Sequence, residues 1–302
     1  MKILVTGGTV FASRFTAEYF RDRGHEVFVL NRGTKEQPEG VTLLMGDRHD
    51  CRELLRRLSF DAVLDVTAYN ADDVNGLLDG LGDFGEYILI SSSAVYPETA
   101  PQPFTETEEC GPNIIWGSYG TDKIAAERAL TERVPGAYIL RPPYLCGMMN
   151  NLYREAFVFE CAGKGLPFYV PEDGKLPLQF FDIGDLCRFM EILLEKKPEQ
   201  RIYNVGNRET VTAEEWAVLC YKVLGKVPEI RYVRSGIPQR SYFPFHPYAY
   251  KLDVSAMYGL MPETLPLYDS LCRAYDWYRN NRDRIIRKPL LDYINSNTDK
   301  MR

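Results

Sequence analysis

Short apolar runs alternate with segments of helical spacing over the first half of the chain, and this alternation constrains the fold most. The strand-like runs are Lys2–Thr6, Glu26–Leu30, Val41–Met45, Ala62–Val66, Tyr87–Ser91 and Ala137–Leu140. The helical segments between them are Phe11–Gly24, Cys51–Leu58, Val74–Leu81 and Tyr119–Arg133. Strands that alternate with helices pair in parallel through right-handed crossovers, with helices on both faces. The sequence therefore predicts an α/β fold with a doubly wound parallel sheet.

The pattern changes after about Arg141, where proline, glycine and aromatic residues become dense and the helical stretches are irregularly spaced. We therefore expect residues 1–141 to form a first domain, with residues 178–205 returning to its sheet. Residues 142–177 and 206–302 are expected to form a smaller C-terminal α+β lobe. The later helices are predicted at Ala213–Leu224 and Tyr268–Asn280.

Composition narrows the function classes for these 302 residues. A net charge of −6 lacks the concentrated basic surface that sequence-independent nucleic-acid binding needs, so it argues against a nucleic-acid partner. Seven scattered cysteines without a CxxC pair and only three histidines argue against a disulfide framework and a metal site. We expect no signal peptide at the N-terminus, and no apolar run reaches the about 18 residues that a membrane span needs. We expect a cytoplasmic protein without membrane contact.

A glycine turn, Thr6–Phe11 (TGGTVF), lies between the first strand and the first helix. Such a turn lets the backbone approach a pyrophosphate, while the helix N-terminus supplies N–H donors and a positive dipole. Val10 and Ser13 stand where the usual fingerprint has its second and third glycines. The position of the turn favours a nucleotide site, and an ordinary strand–helix turn is the alternative.

The end of the second strand carries Asn31 and Arg32 and no carboxylate. A carboxylate there binds the adenosine 2′-hydroxyl and selects NAD, whereas an arginine accommodates a 2′-phosphate. Arg32 therefore favours NADP, with a solvated loop residue as an equally weighted alternative. Asp47, after the third strand, can accept a hydrogen bond from the adenine amine or serve in a plain turn.

Two further motifs contain residues suited to acid–base chemistry. Ser91–Tyr96 (SSSAVY) follows the fifth strand, and Ser118–Lys123 (SYGTDK) opens the next helix. Residues four apart share a helix face, so Lys123 lies beside Tyr119, and an ammonium there lowers the pKa of a phenol. The Tyr-xxx-Lys spacing alone carries little weight among 20 tyrosines. The order of glycine turn, serine strand end and Tyr–Lys pair predicts a proton-transfer site for alcohol–ketone redox.

Taken together, these motifs resemble extended short-chain dehydrogenases/reductases of the NAD-dependent epimerase/dehydratase family, which act mainly on nucleotide sugars. The matching segments span nearly the whole chain: VTGGTVF, GDRHD, SSSAVYP, YGTDK, ILRPPYLCG, QFFDIGDL, YNVGN and LDVSAMYGLMP. The GGT-x-F start and the NRG after the second strand resemble an atypical branch that also contains chloroplast stem-loop RNA-binding proteins. The resemblance implies a Rossmann-type dinucleotide-binding domain, NAD or NADP as cofactor, a substrate-binding C-terminal lobe and a homodimer.

The resemblance also implies roles for individual residues. Tyr119 is the expected general acid/base, and Lys123 is expected to bind the nicotinamide ribose and to tune Tyr119. Ser92 is the expected catalytic serine, with Ser93 as the fallback. Beside Tyr119 and Lys123, the expected cofactor-binding residues are Gly7, Thr9, Val10, Phe11, Asn31, Arg32, Asp47, Thr67 and Ala68.

Reaction type and substrate follow from the same comparison. Dehydratases of the family carry an acidic pair where this chain has Ser93 and Ala94, which favours 4-epimerisation or keto reduction over 4,6-dehydration. The predicted substrate-binding residues are Asn150, Asn151, Arg234 and Arg240. An arginine suits a diphosphate through its planar donor fork, although each of these arginines is also readable as a surface charge. The alternative function is a non-catalytic dinucleotide-binding regulator or RNA-binding protein on the same fold, because fold alone does not settle function.

Overall fold

Strands and helices alternate along the computed structural model, which describes residues 1–234 and 236–301. Its strands are, in chain order, β1 (Lys2–Thr6), β2 (Glu26–Asn31), β3 (Thr42–Met45), β4 (Phe60–Asp65), β5 (Phe84–Ile90), β6 (Tyr138–Arg141), β7 (Tyr144–Cys146), β8 (Phe168–Pro171), β9 (Pro177–Leu178), β10 (Phe180–Asp182), β11 (Ile202–Asn204), β12 (Val211–Thr212) and β13 (Ile230–Val233). Its α-helices are α1 (Phe11–Asp22), α2 (Arg52–Leu55), α3 (Ala71–Gly80), α4 (Ser118–Arg133), α5 (Glu155–Lys164), α6 (Ile183–Lys196), α7 (Ala213–Val223), α8 (Ser255–Leu260), α9 (Leu267–Asn280) and α10 (Leu290–Asn297).

The chain divides into two compact units. The first unit comprises Met1–Pro143, Ile183–Gly206 and Leu252–Thr264. The second unit comprises Tyr144–Asp182, Asn207–Lys251 and Leu265–Arg302.

A seven-stranded sheet forms the centre of the first unit. Its strand order is β3-β2-β1-β4-β5-β6-β11, and every pair is parallel. Val5 of β1 pairs with Val29 on one side and with Leu64 on the other. Strands β2 and β3 lie on one side of β1, and β4, β5, β6 and β11 lie on its other side, so the strand order changes direction between β1 and β4. Ligands of such sheets bind at this point, outside the carboxyl ends of the strands. The predicted Rossmann-type doubly wound fold is confirmed.

Alternation along the strands explains why both faces of the sheet are covered. Leu4 belongs to an apolar cluster with residues of α3 and α4, such as Leu77 and Leu130. Its neighbours Ile3 and Val5 point to the opposite face and are fully buried, on the side where α1 packs against α6. The two helix layers hold the carboxyl ends of β1 and β4 in a fixed position.

Aromatic packing builds the second unit around three strand pairs, which are β7 with β10, β8 with β13 and β9 with β12. Trp216 of α7 is fully buried, with its ring stacked on Phe180 and its centroid 4.9 Å from that of Phe245. Helices α5, α7 and α9 pack against one another beside it. Large aromatic side chains bury much apolar area each, which lets a small unit form a core.

The expected return of residues 178–205 to the first sheet is wrong for its first part. Only Ile202–Asn204 joins that sheet, where it pairs with β6. Leu178 pairs with Val211, and Phe180–Asp182 pairs with β7, all within the second unit. The reason is the side chain of Phe180, which belongs to the aromatic core around Trp216 and so holds β10 in the second unit.

A short segment expected in the C-terminal lobe, Leu252–Thr264, belongs to the first unit. The backbone N–H of Asp253 donates to the carbonyl oxygen of Phe104 over 2.8 Å, and helix α8 packs against β11.

Helix α2 is shorter than predicted and ends at Leu55, because the N–H of Leu58 donates to the carbonyl of Leu55 in a tight turn before β4.

Candidate functional site

A cavity opens in the first unit at the carboxyl ends of β1 to β4, where the chain reverses its direction across the sheet. The residues that line it are Thr6, Gly7, Thr9, Leu30, Asn31, Arg32, Thr34, Lys35, Gly46, Asp47, Arg48, His49, Thr67 and Asp73. Six of the eleven predicted cofactor residues are in this lining, and Val10, Phe11, Ala68, Tyr119 and Lys123 are not. These six residues come from four strand ends, those of β1, β2, β3 and β4.

Close backbone packing requires the two glycines of the turn after β1. Gly7 and Gly8 have φ angles of +85° and +83°, a backbone region that residues with a side chain rarely adopt. A Cβ at Gly8 would lie 2.5 Å from Cγ1 of Val29, and one at Gly7 would lie 2.7 Å from Cγ2 of Thr67. The turn thus forms a side-chain-free cradle beside the N-terminus of α1, and its residues fit a dinucleotide pyrophosphate.

The two departures from the glycine fingerprint are accommodated locally. Val10 takes an extended conformation just before α1, and the helix begins at Phe11 with a φ of +36°. Ser13 is buried and donates its hydroxyl to the carbonyl oxygen of Val10 over 3.0 Å. The serine hydroxyl is therefore satisfied inside the first turn of the helix.

Asn31 joins the second strand to the glycine turn. Its amide nitrogen donates to the carbonyl oxygen of Gly7 over 2.6 Å and to the side-chain oxygen of Gln37 over 2.9 Å. Its side-chain oxygen accepts from the N–H of Gly33 over 2.9 Å. These contacts give Asn31 a role in shaping the turn, and its direct contact with a cofactor stays a prediction.

The rim of the cavity carries exposed charges. Arg32 and Lys35 are both exposed on the loop that follows β2. Asp47 is exposed as well, and its carboxylate accepts from the backbone N–H of His49 over 2.9 Å. The rim at the end of β2 is therefore cationic, whereas a carboxylate lies at the end of β3.

Below the cavity lies a buried ion pair that the sequence analysis missed. Asp65, the last residue of β4, is fully buried and accepts from Nη2 of Arg48, with both its oxygens 2.8 Å from that nitrogen. The hydroxyls of Thr6 and Tyr87 each donate to the same carboxylate over 2.7 Å. Burial alone would raise the pKa of Asp65, but Arg48 and these hydrogen bonds hold it below its ordinary value. The only local signal was a carboxylate inside an apolar strand.

Helix α4 places Lys123 in the interior of the first unit. The helix begins at Ser118, after Gly117 with a φ of +54°, so Tyr119 lies in its first turn and Lys123 one turn later. Nζ of Lys123 donates to the carbonyl oxygens of Ala68 over 2.7 Å and of Ile90 over 2.9 Å. The lysine is therefore fixed to residues at the carboxyl ends of β4 and β5.

Burial changes the proton affinity of this lysine. The Lys123 side chain is almost completely buried, and burial lowers its pKa from 10.5 to about 8. The carboxylates of Asp65 and Glu127 oppose this shift only in part. Tyr119 differs in exposure, since 40% of it is accessible and its ring centroid lies 6.5 Å from that of Tyr69. The helix thus offers an accessible phenol beside a buried cation.

The serines follow β5 at the same edge of the sheet. Ser92 caps a short 3₁₀ turn formed by Ser93–Val95, and its hydroxyl accepts from the N–H of Ala94 over 3.2 Å. Ser93 is buried, and its backbone N–H donates to the carbonyl oxygen of Pro142. Ser92 is the more accessible of the two, as a group that contacts a substrate needs to be.

A second buried ion pair fastens α4 to β5 and β6. Arg141 contacts Glu127 at 2.6 Å, and Glu127 also accepts from the hydroxyl of Ser91. Another nitrogen of Arg141 donates to the hydroxyl of Tyr96 over 2.8 Å, which donates in turn to Asn204 over 2.8 Å. The pair holds the helix that carries Tyr119 against the strand end that carries the serines. The ILRPPYLCG segment contained this arginine, but its role was not predicted.

The predicted substrate residues of the second unit differ in their surroundings. Asn150 is buried and donates its amide to Glu155 over 2.8 Å, and the backbone carbonyl of Asn151 accepts from Ile286. Arg234 is exposed in a hollow that Glu172 and Asp173 also line. Arg240 is half-buried and donates to the carbonyl oxygen of Pro244. The substrate-binding roles of these four residues therefore stay predictions.

Arg240 lies in a cation cluster with Arg154 and Lys288, and His246 lies beside these cations. Burial lowers the pKa of Lys288, and Arg240 and Arg154 lower it further. Burial and the same cations lower the pKa of His246 to about 4. The guanidinium carbon of Arg154 lies 5.0 Å from the ring centroid of Tyr144. Burial raises the pKa of the Glu155 carboxyl on α5, and the charge of Arg154 opposes this shift only in part.

No group of three or more potential metal-ligating side chains occurs within residues 1–234 and 236–301. In the same part of the chain, no helix has the length and apolar composition to cross a membrane.

The parallel sheet and the glycine turn after β1 are those of a Rossmann-type doubly wound fold. The model of the NAD dependent epimerase/dehydratase family matches residues 3–206, and the chain belongs to this family. This result confirms the resemblance seen in the motifs.

Two curated relatives are similar over most of this chain. One is the chloroplast stem-loop binding protein of 41 kDa b of Arabidopsis thaliana, 29% identical over 247 residues, which are 76% of this chain and 64% of that protein. The chain thus spans less than two thirds of the length of that relative. The other is the UDP-glucose 4-epimerase of Corynebacterium glutamicum, 26% identical over 290 residues, with 79% and 85% coverage.

Solved structures show the same fold. A crystal structure of UDP-glucose 4-epimerase gives a TM-score of 0.78 at 17% identity and covers 95% of this chain and 99% of that one. The Bordetella bronchiseptica enzyme WbmH in complex with NAD+ gives 0.76 at 18% identity, with 93% and 99% coverage.

Proposed function

We propose that this protein is an NAD(P)-dependent enzyme that transfers hydride at a hydroxyl or ketone carbon of a nucleotide-activated sugar. The observation that carries the proposal is the pairing on α4 of an accessible Tyr119 with a Lys123 buried against the strand ends. Family membership supports the dinucleotide, and the 4-epimerase among the curated relatives supports the sugar nucleotide.

In this mechanism Tyr119 accepts the proton of a sugar hydroxyl while hydride leaves the carbon that bears this hydroxyl. In the reducing direction Tyr119 returns the proton. The bound dinucleotide supplies the hydride acceptor or donor. Lys123 donates to two carbonyls among the described residues and carries three N–H groups, so one remains for a cofactor ribose hydroxyl. Its charge stabilises the Tyr119 phenolate, and Ser92 orients the sugar oxygen.

Epimerisation or simple keto reduction is proposed over dehydration. Elimination of water needs an acid and a base beside the catalytic serine. The corresponding residues are Ser93 and Ala94, and both are buried in the 3₁₀ turn. Without a carboxylate at these positions, the residues present support only the transfer of a hydride and a proton.

NADP is proposed as the preferred cofactor. The end of β2 has no carboxylate to bind a 2′-hydroxyl, and Arg32 and Lys35 place two exposed cations at the rim of the cavity. An Arg32→Met variant should lose affinity for NADP and keep its affinity for NAD. Equal losses for both dinucleotides would contradict the preference.

An anionic substrate is supported by the second unit. Arg154, Arg240 and Lys288 lie close enough to depress the pKa of one another or of His246, which indicates an excess of positive charge. A diphosphate would relieve this repulsion through charge-assisted hydrogen bonds. The cation cluster favours Arg240 over Arg234 as the diphosphate ligand, because Arg234 lies near two carboxylates.

The test is product analysis after incubation with NAD, NADP and their reduced forms. UDP-, dTDP- and GDP-linked hexoses and 4-keto sugars are the substrates, and chromatography separates the 4-epimers. Conversion of at least one sugar that requires Tyr119 supports the proposal. No conversion of any sugar by a protein that binds the dinucleotide would overturn it.

A homodimer through α3 and α4 belongs to the proposal as well. These two helices pack against each other in the first unit, and the family resemblance implies that they pair with a second copy. Light scattering with size-exclusion chromatography should give twice the chain mass of 34.7 kDa. A monomer at micromolar concentration would contradict this part.

RNA binding is a second candidate, because the chloroplast relative is a stem-loop binding protein. The net charge of −6 opposes it. Filter retention of a stem-loop RNA at 50 and 200 mM salt separates the two functions, since phosphate contacts lose affinity steeply over this range. Tight, structure-specific retention at 200 mM would favour RNA binding.

A further inference from the structure

Helix α4 approaches the serine end of β5 more closely than a side chain would allow. Gly120 directly follows Tyr119 in the first turn of this helix. A Cβ at Gly120 would lie 2.5 Å from the backbone carbonyl oxygen of Ala94, in the 3₁₀ turn that Ser92 caps. Cβ atoms essentially never come this close to a backbone oxygen. The absence of a side chain at Gly120 therefore sets how near the first turn of α4 lies to the serines.

A second contact fastens the same helix farther along its length. Glu127 lies on the face of α4 that carries Lys123, one helical turn earlier. Its buried carboxylate accepts from the hydroxyl of Ser91, the residue before Ser92. Arg141 binds the same carboxylate through Nε over 3.0 Å and through Nη2 over 2.6 Å. One carboxylate thus joins α4 to the ends of both β5 and β6.

The backbone holds Ser92 against the end of β6. The residues on either side of Ser92 donate their backbone N–H groups to the carbonyl oxygens of Leu140 and Pro142, over 2.7 and 2.9 Å. Arg141 lies between these two acceptors, and its side chain binds Glu127. Any movement of α4 relative to this strand end would therefore change the position of the helix relative to the serine.

We propose that Gly120 and Ser91 are positioning residues for proton transfer. Gly120 lets α4 come close enough for Tyr119 and Ser92 to contact one sugar oxygen, and Ser91 fixes this spacing through Glu127. The inference rests on the proposed function, because it concerns the same proton transfer. Misplacement of reacting groups by about 1 Å lowers a rate by about 10²-fold. Neither positioning residue contacts the sugar, so their substitution should slow turnover and leave binding intact.

The first test adds one methyl group at Gly120. Gly120→Ala must move α4 away from the carbonyl of Ala94, and we expect kcat to fall about 10- to 100-fold. KM for the sugar nucleotide and the affinity for the dinucleotide should stay within about threefold, because neither ligand contacts this residue in the proposal. The substrate is whichever UDP-, dTDP- or GDP-linked sugar the unaltered chain converts.

Gly259→Ala, in helix α8, is the matched control for this variant. A Cβ at Gly259 meets no atom within 4 Å, so kcat should not change. Alanine is more favourable than glycine inside a helix, so Gly259→Ala should raise the urea midpoint. Gly120→Ala should lower the urea midpoint, because close contact with the backbone outweighs the helix preference.

The second test keeps the buried ion pair and removes one hydroxyl. Ser91→Ala breaks the link between Glu127 and the serine end of β5, and we expect kcat to fall about three- to tenfold at unchanged KM. Thr131→Val is the matched control on α4. It removes a hydroxyl that donates to the backbone carbonyl of the same Glu127 over 2.8 Å, and it should keep the full kcat. This pair decides the inference even if Gly120→Ala does not fold.

A solvent deuterium isotope effect separates positioning from mere stability. If proton transfer is misaligned, it becomes the slower step, and the isotope effect on kcat should rise in Gly120→Ala and Ser91→Ala. A smaller folded fraction leaves this ratio unchanged. Full kcat in either folded variant would overturn the role of that residue, and a lower kcat with an unchanged isotope effect would reduce the contact to a structural one.

Failure of the proposed function is recognised separately. If Tyr119→Phe converts the sugar at the full rate, the proposed function falls and the inference falls with it. If Tyr119→Phe is inactive while Gly120→Ala and Ser91→Ala keep the full kcat, only the inference falls.

Discussion

Nζ of Lys123 lies 2.7 Å from the carbonyl oxygen of Ala68, and this buried contact joins helix α4 to the residues that follow β4. The contact places a cation in the interior of the first unit, one helical turn after the accessible Tyr119. The proposed chemistry depends on that combination.

The pH dependence of activity should follow Lys123. Burial lowers its pKa from 10.5 to about 8, so the ammonium that stabilises the phenolate is lost as the pH rises through about 8. We expect kcat/KM to fall about tenfold per pH unit above that value, since each unit removes nine tenths of the charged form. Rates between pH 6 and 10 test this. A profile that stays level up to pH 10 would show that the charge on Lys123 is not needed.

Removal of one hydroxyl tests the acid–base role. Tyr119→Phe should lower kcat by about 10²- to 10⁴-fold, because proton transfer from the sugar hydroxyl loses its partner. Dinucleotide affinity and the urea midpoint should change little, because 40% of the residue is exposed. Tyr69→Phe is the control, with a ring centroid 6.5 Å away and similar exposure. Equal activity of the two variants would contradict the mechanism.

Addition of a single methyl group to the glycine turn after β1 should lower the stability of the protein. Gly8→Ala brings a Cβ to 2.5 Å from Val29 in a residue with a φ of +83°, so strain and overpacking add. We expect a loss of about 2–4 kcal/mol in the free energy of unfolding. Gly24→Ala has a similar φ of +80° and no atom within 4 Å of the new Cβ, so it should lose only about 1–2 kcal/mol. Urea unfolding compares them, and equal losses would show that contact with Val29 is unimportant.

Breaking the buried pair between Glu127 and Arg141 should be costly. Arg141→Met leaves the Glu127 carboxylate buried without its partner, and we expect a loss of about 3–5 kcal/mol in stability. The double variant with Glu127→Leu should recover most of this loss, because neither charge then remains. Arg133→Met, also on α4, removes an exposed pair with Asp79 of α3 and should lose at most about 1 kcal/mol. A double variant less stable than Arg141→Met would contradict the argument.

The strand ends around the cavity were predictable because local sequence determines them. Alternating apolar runs mark buried strands, and Gly7 and Gly8 mark a turn that no other residue forms without strain. Parallel strands end at one edge of their sheet, so the order of the motifs was enough to bring Gly7, Asp47 and Thr67 to one cavity. The Tyr119–Lys123 spacing likewise follows from helix periodicity alone.

Contacts between residues far apart in sequence were decided only by the tertiary structure. Arg48 reaches Asp65 and Arg141 reaches Glu127 because the fold buries each charge beside one opposite charge, and no local pattern names that partner. Phe180 was predicted to return to the first sheet, but its ring packs in the aromatic core around Trp216. Sequence periodicity records which face of an element is buried, whereas the burial energy of a charge or a ring depends on what the completed fold places against it.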